Sequence, residues 1–248
     1  MAREARSEES WIRIAVYSAV FAALVFAATL IAVSTPVTEG YFNLGESMVY
    51  TAAILGGPVI GGIAGGVGSA MADLYLGYSH YAPGTLVIKG VEGFLVGWIY
   101  YRLSRLDKRV LRRLALPLAL LVGGAIIVAG AVLYGAIYGG DTVLEFWGRS
   151  IEFSIPLWAW ALAGLAVGLL ILYIVLARDP AYSSAIIAML LGGTWMVTGY
   201  FLYEAIVLGF GITAAAELPV NFGQALVGSS IAIAIVSAVA RAGYDKGG

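Results

Sequence analysis

Apolar stretches long enough to cross a bilayer recur along almost the whole chain, and they decide the solvent in which it folds. A helix needs roughly 20 apolar residues to span the hydrocarbon core. Candidate spans fall at about 11–33, 46–57, 58–76, 84–103, 114–138, 154–177, 184–209 and 219–241. The chain is 61% hydrophobic and only 12% charged, with a mean hydropathy of +0.92. Soluble domains hold about half apolar and a quarter charged residues, so no single soluble core hides this much apolar surface. The expected fold class is all-α, a polytopic membrane helical bundle.

Two segments qualify this pattern. Leu55-Gly56-Gly57-Pro58 reads as a tight turn, because Gly ends one helix and Pro suits the first turn of the next. The 46–57 segment is then short, and it is tilted, buried by protein or continuous with its neighbour. The first apolar segment lacks a small-residue cleavage motif and reads as a retained helix, not a signal peptide.

Charge placement gives the topology. Eight spans put both termini on one side, with Arg3, Arg6, Arg13, Arg241 and Lys246. The 102–113 connection on the same side holds Arg102, Arg105, Lys108, Arg109, Arg112 and Arg113, and the 178–183 connection holds Arg178. Only Lys89 and Arg149 fall elsewhere. The positive-inside rule makes this the cytoplasmic face of a cell membrane. The connections 34–45, 77–83, 139–153 and 210–218 lie outside, with Glu39, Asp141, Glu145, Glu152 and Glu217. A net charge of −1 gives no sign of nucleic acid, and the absence of cysteine excludes disulfides and thiolate metal sites.

With this topology the polar residues meet at one depth. Asn43 and Glu46 start the second span at the outer surface, and Asp73 ends the third near it. Tyr78, His80 and Tyr81 occupy the outer loop, and Thr85, Lys89 and Glu92 descend the fourth span. Tyr200, Tyr203 and Glu204 climb the seventh, and Asn221 and Gln224 begin the eighth. Residues three or four apart share a helix face, so several helices each present a polar stripe in the outer half. Ionisable groups at membrane depth are expensive and mark substrate or ion sites. The pattern describes an outward-facing small-molecule pocket with aromatic walls.

Plainer roles compete for each residue. Lys89 and Glu92 can be a structural ion pair, and Glu46 an acid favoured by the helix dipole. Asp73 can cap its helix or snorkel, Asn221 and Gln224 can be interfacial caps, and His80 is a solvated loop histidine. Trp98, Trp158, Trp160 and Trp195 suit packing or the interfacial belt. The shared depth favours the pocket.

On the first helix Ala15, Ala19, Ala23 and Ala27 recur every four residues. Such a row lets helix backbones approach closely, against another span of this chain or against a partner membrane protein. The glycine rows of the third span, Gly57, Gly61, Gly65 and Gly62, Gly66, are expected to pack within the fold. No phosphate loop, H-E-x-x-H or G-x-S-x-G motif occurs and there is one histidine. No catalytic residue, metal site or cofactor is therefore expected, and no ATP hydrolysis by a phosphate loop.

The run NLGESMVYTAAILGGPVIGGIAGGVGSAMADLYLGY followed by YAPGTLVIKGVEGFLVG resembles the substrate-binding membrane subunit (S component) of energy-coupling factor transporters, in the riboflavin-, hydroxymethylpyrimidine- and pantothenate-type group. GYFLYEAIVLGFG with AAAELPVNFGQALVG resembles the last two helices of that group. The resemblance implies a high-affinity vitamin-binding protein. Its implied partners are a transmembrane coupling (T) component and two cytosolic ATPases. It also implies delivery by toppling of the S component in the membrane. The alanine row, Ala15, Ala19 and Ala23, resembles the surface that docks on the T component. Family members have six helices. Here 106–183 stands as an inserted helical hairpin, adding two spans between the fourth and fifth, within one transmembrane domain whose S-component-like core is 11–105 and 184–242.

The expected substrate-binding residues are Asn43, Glu46, Tyr81, Lys89, Glu92, Tyr203, Glu204, Asn221 and Gln224, with Tyr81 and Tyr203 stacking on a flat ring. Two other classes fit the same sequence. One is a standalone transporter. The other is a scaffold whose basic 102–113 segment binds anionic headgroups.

Overall fold

The computed structural model describes residues 2–34, 40–134, 141–146, 149–177 and 180–244. Eight α-helices lie among them: α1 (Ala2–Thr29), α2 (Gly45–Gly56), α3 (Pro58–Leu76), α4 (Ala82–Leu103), α5 (Lys108–Val128), α6 (Leu157–Ala177), α7 (Pro180–Leu202) and α8 (Leu218–Tyr244). All except α2 belong to segments long and apolar enough to cross a membrane. The all-α membrane bundle expected from the apolar pattern is the fold. Glu39, Arg178 and Lys246, which carry part of the predicted charge segregation, lie outside the described residues, as do 135–138 of the fifth predicted span.

Two connections differ from expectation. The 34–45 and 139–153 segments read as plain loops, but each holds strands of an antiparallel hairpin. β1 (Ala32–Ser34) pairs with β2 (Tyr41–Asn43), Val33 opposite Phe42. β3 (Asp141–Phe146) pairs with β4 (Arg149–Ser154), Val143 opposite Glu152. Short runs rich in β-branched and aromatic residues suit a pleated surface, and three to six residues are too few for a hydropathy scan to register. Three helix ends also depart from regular α geometry. Ala129–Tyr134 and Tyr203–Val207 are π-helical, and Gly211–Glu217 is a 3₁₀ helix leading into α8.

α2 and α3 meet at Gly57, whose φ of 87° requires glycine, and Pro58 follows at the first position of α3. α3 then runs against α4 with almost no side chain between them. A Cβ on Gly65 would lie 2.7 Å from the Lys89 carbonyl oxygen. Gly61, Gly62 and Gly66 face α4 in the same way, so the glycine rows pack within the fold as expected. That seam fixes the depth of Lys89.

The main core joins α1, α2, α3, α4, α7 and α8 through Val25, Val49, Tyr50, Ala64, Val96, Met189 and Ala232. α5 and α6 pack chiefly on each other. They reach the bundle through α7, where Leu111, Val122, Ile171 and Val175 surround Ile187. On α1, Ser18, Val25 and Thr29 are buried, whereas Ala15, Ala19, Ala23 and Ala27 are exposed. The alternative that the alanine row packs within the fold does not hold.

Candidate functional site

The length of α2 shapes the site. Its 12 residues rise about 18 Å, well short of the roughly 30 Å hydrocarbon core. Its first turn is enclosed by the bundle, with Gly45, Glu46 and Ser47 all buried, and β2 leads directly into it. Glu46, expected at the membrane surface, is only 1% exposed. It meets Lys89, which sits two turns into α4.

A connected polar network forms the floor. Lys89 pairs with Glu46 and its Nζ stands 3.5 Å from Glu92 Oε2. The Tyr50 hydroxyl donates to Glu92 Oε1 at 3.0 Å. Gln224 Nε2 donates to Glu46 Oε1 at 3.2 Å. Gln224 Oε1 in turn accepts from both the backbone N–H and Nδ2 of Asn43, each at 2.9 Å. Asn43 Oδ1 accepts from the Gly45 N–H at 2.8 Å, a local turn just ahead of α2. Burying three charges is costly unless they are paired; the ion pairs and the bonds from Tyr50 and Gln224 meet part of that need, and Glu46 Oε2, Glu92 Oε2 and Lys89 Nζ make no hydrogen bond. Lys89 and Glu92 do form the structural pair that the spacing allowed, while Lys89 also faces an open space.

That space is a cavity bounded by Asn43, Lys89, Asn221 and Gln224 below and by Tyr41, Asp73, Tyr81, Thr85, Tyr200, Glu204 and Glu217 around it. Its free volume of about 30 Å³ holds a water or two. Asp73 neither caps α3 through its side chain nor reaches a headgroup layer. It is 2% exposed and accepts a hydrogen bond from the Tyr41 hydroxyl. Burial pushes the Tyr41 phenol well above its usual value, and the neighbouring Asp73 charge adds to the shift. The Tyr200 hydroxyl donates to Thr85 Oγ1 at 3.0 Å. Over the mouth, rings run from Tyr41 through Tyr78 and Tyr81 to Tyr203, with centroid separations of 4.7, 6.5 and 6.4 Å.

Six of the nine residues expected from sequence line this cavity: Asn43, Tyr81, Lys89, Glu204, Asn221 and Gln224. Glu46 and Glu92 stand behind Lys89 and hold it. Tyr203 lies off the lining, its hydroxyl donating to the His80 carbonyl at 2.8 Å. The π-helical turn beginning at Tyr203 breaks the α-helical spacing that placed it on the face of Tyr200. Sequence reasoning did not pick out Tyr41 or Glu217 as site residues. The first sits in the unrecognised strand, where Tyr-Phe-Asn alternation is the available signal. The second is an acid inside the apolar run Ala-Ala-Ala-Glu-Leu-Pro-Val. Among the described residues no three His, Asp or Glu side chains converge as a metal site.

Comparison with known proteins bears on this cavity. Residues 10–139 match the model of the family described as ECF-type riboflavin transporter, S component. The match spans α1 to α4 and continues through α5. A Pyrococcus woesei protein described as an uncharacterized protein in the gap 3' region is 36% identical over 141 residues, 56% of this chain and 84% of that protein. The thiamine precursor transporter HmpT of Lactococcus lactis subsp. cremoris (strain MG1363) is 31% identical over 104 residues, 42% of this chain and 55% of its own length.

Proposed function

The chain belongs to the family of ECF-type riboflavin transporter S components, and we propose that it captures a vitamin or vitamin precursor in the cavity beneath the β1–β2 hairpin. It then passes the molecule inward as the substrate-binding subunit of an ATP-driven importer. The observation that carries this reading is the cavity itself. It is deep, aromatic-walled and lined by converging polar groups, the usual make-up of a small-molecule site.

In this reading Asn43, Tyr81, Lys89, Glu204, Asn221 and Gln224 contact the ligand. Glu46 and Glu92 set the position of Lys89, and Tyr203 braces the rim through the His80 carbonyl. The free volume is too small for any vitamin, so the tyrosine-covered mouth opens for entry. The mouth faces outward, and the termini lie in the cytoplasm of a plasma-membrane protein, as the basic residues indicate. The exposed Ala15, Ala19 and Ala23 row docks on a T component that two ATPases drive. α5 and α6 lie beside the core and take no part in the cavity wall; α6 stands as the inserted span, since the family match reaches through α5. No catalytic step is assigned to the chain.

Reconstitution tests the transport role. Proteoliposomes holding this chain with a T component and two ATPases are expected to accumulate the captured vitamin only when ATP is inside the matching compartment. Uptake by the chain alone without ATP would establish a standalone transporter instead.

A further inference from the structure

The charge of the cavity says what kind of ligand it takes, given the capture reading above on which this inference rests. Three carboxyl groups, Asp73, Glu204 and Glu217, line the wall, and one ammonium group, Lys89, lines the floor. Lys89 is already matched twice, by Glu46 and Glu92 behind it. Its charge is met by those two acids, although its Nζ makes no hydrogen bond. Among the described residues, His80, exposed on the rim, is a further basic group near Asp73.

Two of the wall acids have an oxygen with no hydrogen-bond partner. Asp73 Oδ2 and Glu204 Oε2 are both buried, on residues only 2% exposed, and both belong to the cavity lining. Buried carboxylate oxygens left unmatched are unfavourable, and a cationic ligand relieves them as it binds. A carboxylate ligand meets the opposite situation, because it brings further acceptors to Asp73 Oδ2 and Glu204 Oε2, which need a donor or a cation. The remaining wall is phenol rings, Tyr41, Tyr81 and Tyr200; such rings attract cations and stack on flat rings, and the Lys89 ammonium already stands 5.5 Å from the Tyr200 centroid. The acids do not converge as a metal site among the described residues, so the matching charge is an organic one.

We propose that the ligand is a flat-ringed organic cation, with a quaternary or protonated nitrogen facing Asp73 and Glu204 and its ring against the tyrosines. An anionic vitamin such as a pantothenate-like acid is excluded by the same geometry.

Isothermal titration of the purified full chain in detergent tests this with three probes of matched size class: thiamine, a permanent cation; riboflavin, neutral; and pantothenate, an anion. Thiamine is expected to bind at least tenfold tighter than the other two. Asp73→Asn and Glu204→Gln, which keep shape and volume, should each weaken thiamine about tenfold or more while thermal midpoints stay near the parent's. Tighter binding of riboflavin or pantothenate, or thiamine binding indifferent to both substitutions, overturns the proposal. If the overriding probe is itself weakened by Tyr200→Ala, the capture reading survives and only the charge inference fails. If no probe binds and nothing is released from the purified protein, both fail.

Discussion

Gln224 on α8 accepts two hydrogen bonds from Asn43, through one side-chain oxygen, at 2.9 Å each. The two residues are 181 apart in sequence, and this contact ties the end of β2 to the last helix at the cavity wall. Gln224→Leu keeps the volume and removes the acceptor. Two buried donors on Asn43 then lack a partner, at about 1–3 kcal/mol each. The expected outcome in detergent is a lower thermal midpoint and ligand affinity reduced at least tenfold; Asn221→Leu, which breaks no such contact, should spare the midpoint.

Lys89 holds two buried acids apart. Lys89→Met leaves Glu46 and Glu92 uncompensated, and breaking a buried ion pair from one side costs about 3–5 kcal/mol. The yield of folded, monodisperse protein should collapse. Adding Glu46→Gln and Glu92→Gln to the same variant should restore much of that yield, because the stranded charges are gone. Size-exclusion chromatography of the two variants side by side reads the difference.

The alanine row on α1 separates assembly from binding. Ala19 is exposed, so Ala19→Leu should leave thermal stability and ligand affinity within about twofold of the parent. Co-purification with a T component should be lost, and ATP-driven uptake with it. Retained uptake would place the partner interface elsewhere.

Tyr41 gives a pH signature. Its phenol ionises above the ordinary value near 10 because it is buried beside Asp73. A group whose folded value is raised contributes stability that is fully present below its unfolded value and is drawn down as pH rises above it. The difference in unfolding midpoint between the parent and Tyr41→Phe should therefore be constant from neutral pH to about 10 and shrink above it. Equal differences at pH 7 and at pH 11 would show that the folded state does not shift the Tyr41 phenol.

Much of this was legible in the sequence, for physical reasons. Twenty-residue apolar runs, the Gly57-Pro58 turn and the glycine rows of α3 are strong local signals, and the structure uses each. Lys89, Gln224 and Asn43 stood out because polar groups at membrane depth are costly unless used. What escaped was geometry that no helical period records. The strand β2 leads directly into the buried first turn of α2, which holds Glu46, and makes Tyr41 a wall residue. The π-helical turn at Tyr203 swings that ring to the rim, although the spacing Tyr200, Tyr203, Glu204 looks regular. Whether Glu46 and Glu92 face a ligand or face a lysine is a rotamer-level distinction. Spacing alone cannot make it.

The most direct test of the account is mass spectrometry of small molecules released from the purified, detergent-solubilised protein. The account predicts a vitamin-like compound at close to one per chain, lost when Gln224 or Tyr200 is replaced. A protein that comes off the column empty, and whose thermal midpoint no vitamin raises, would contradict it.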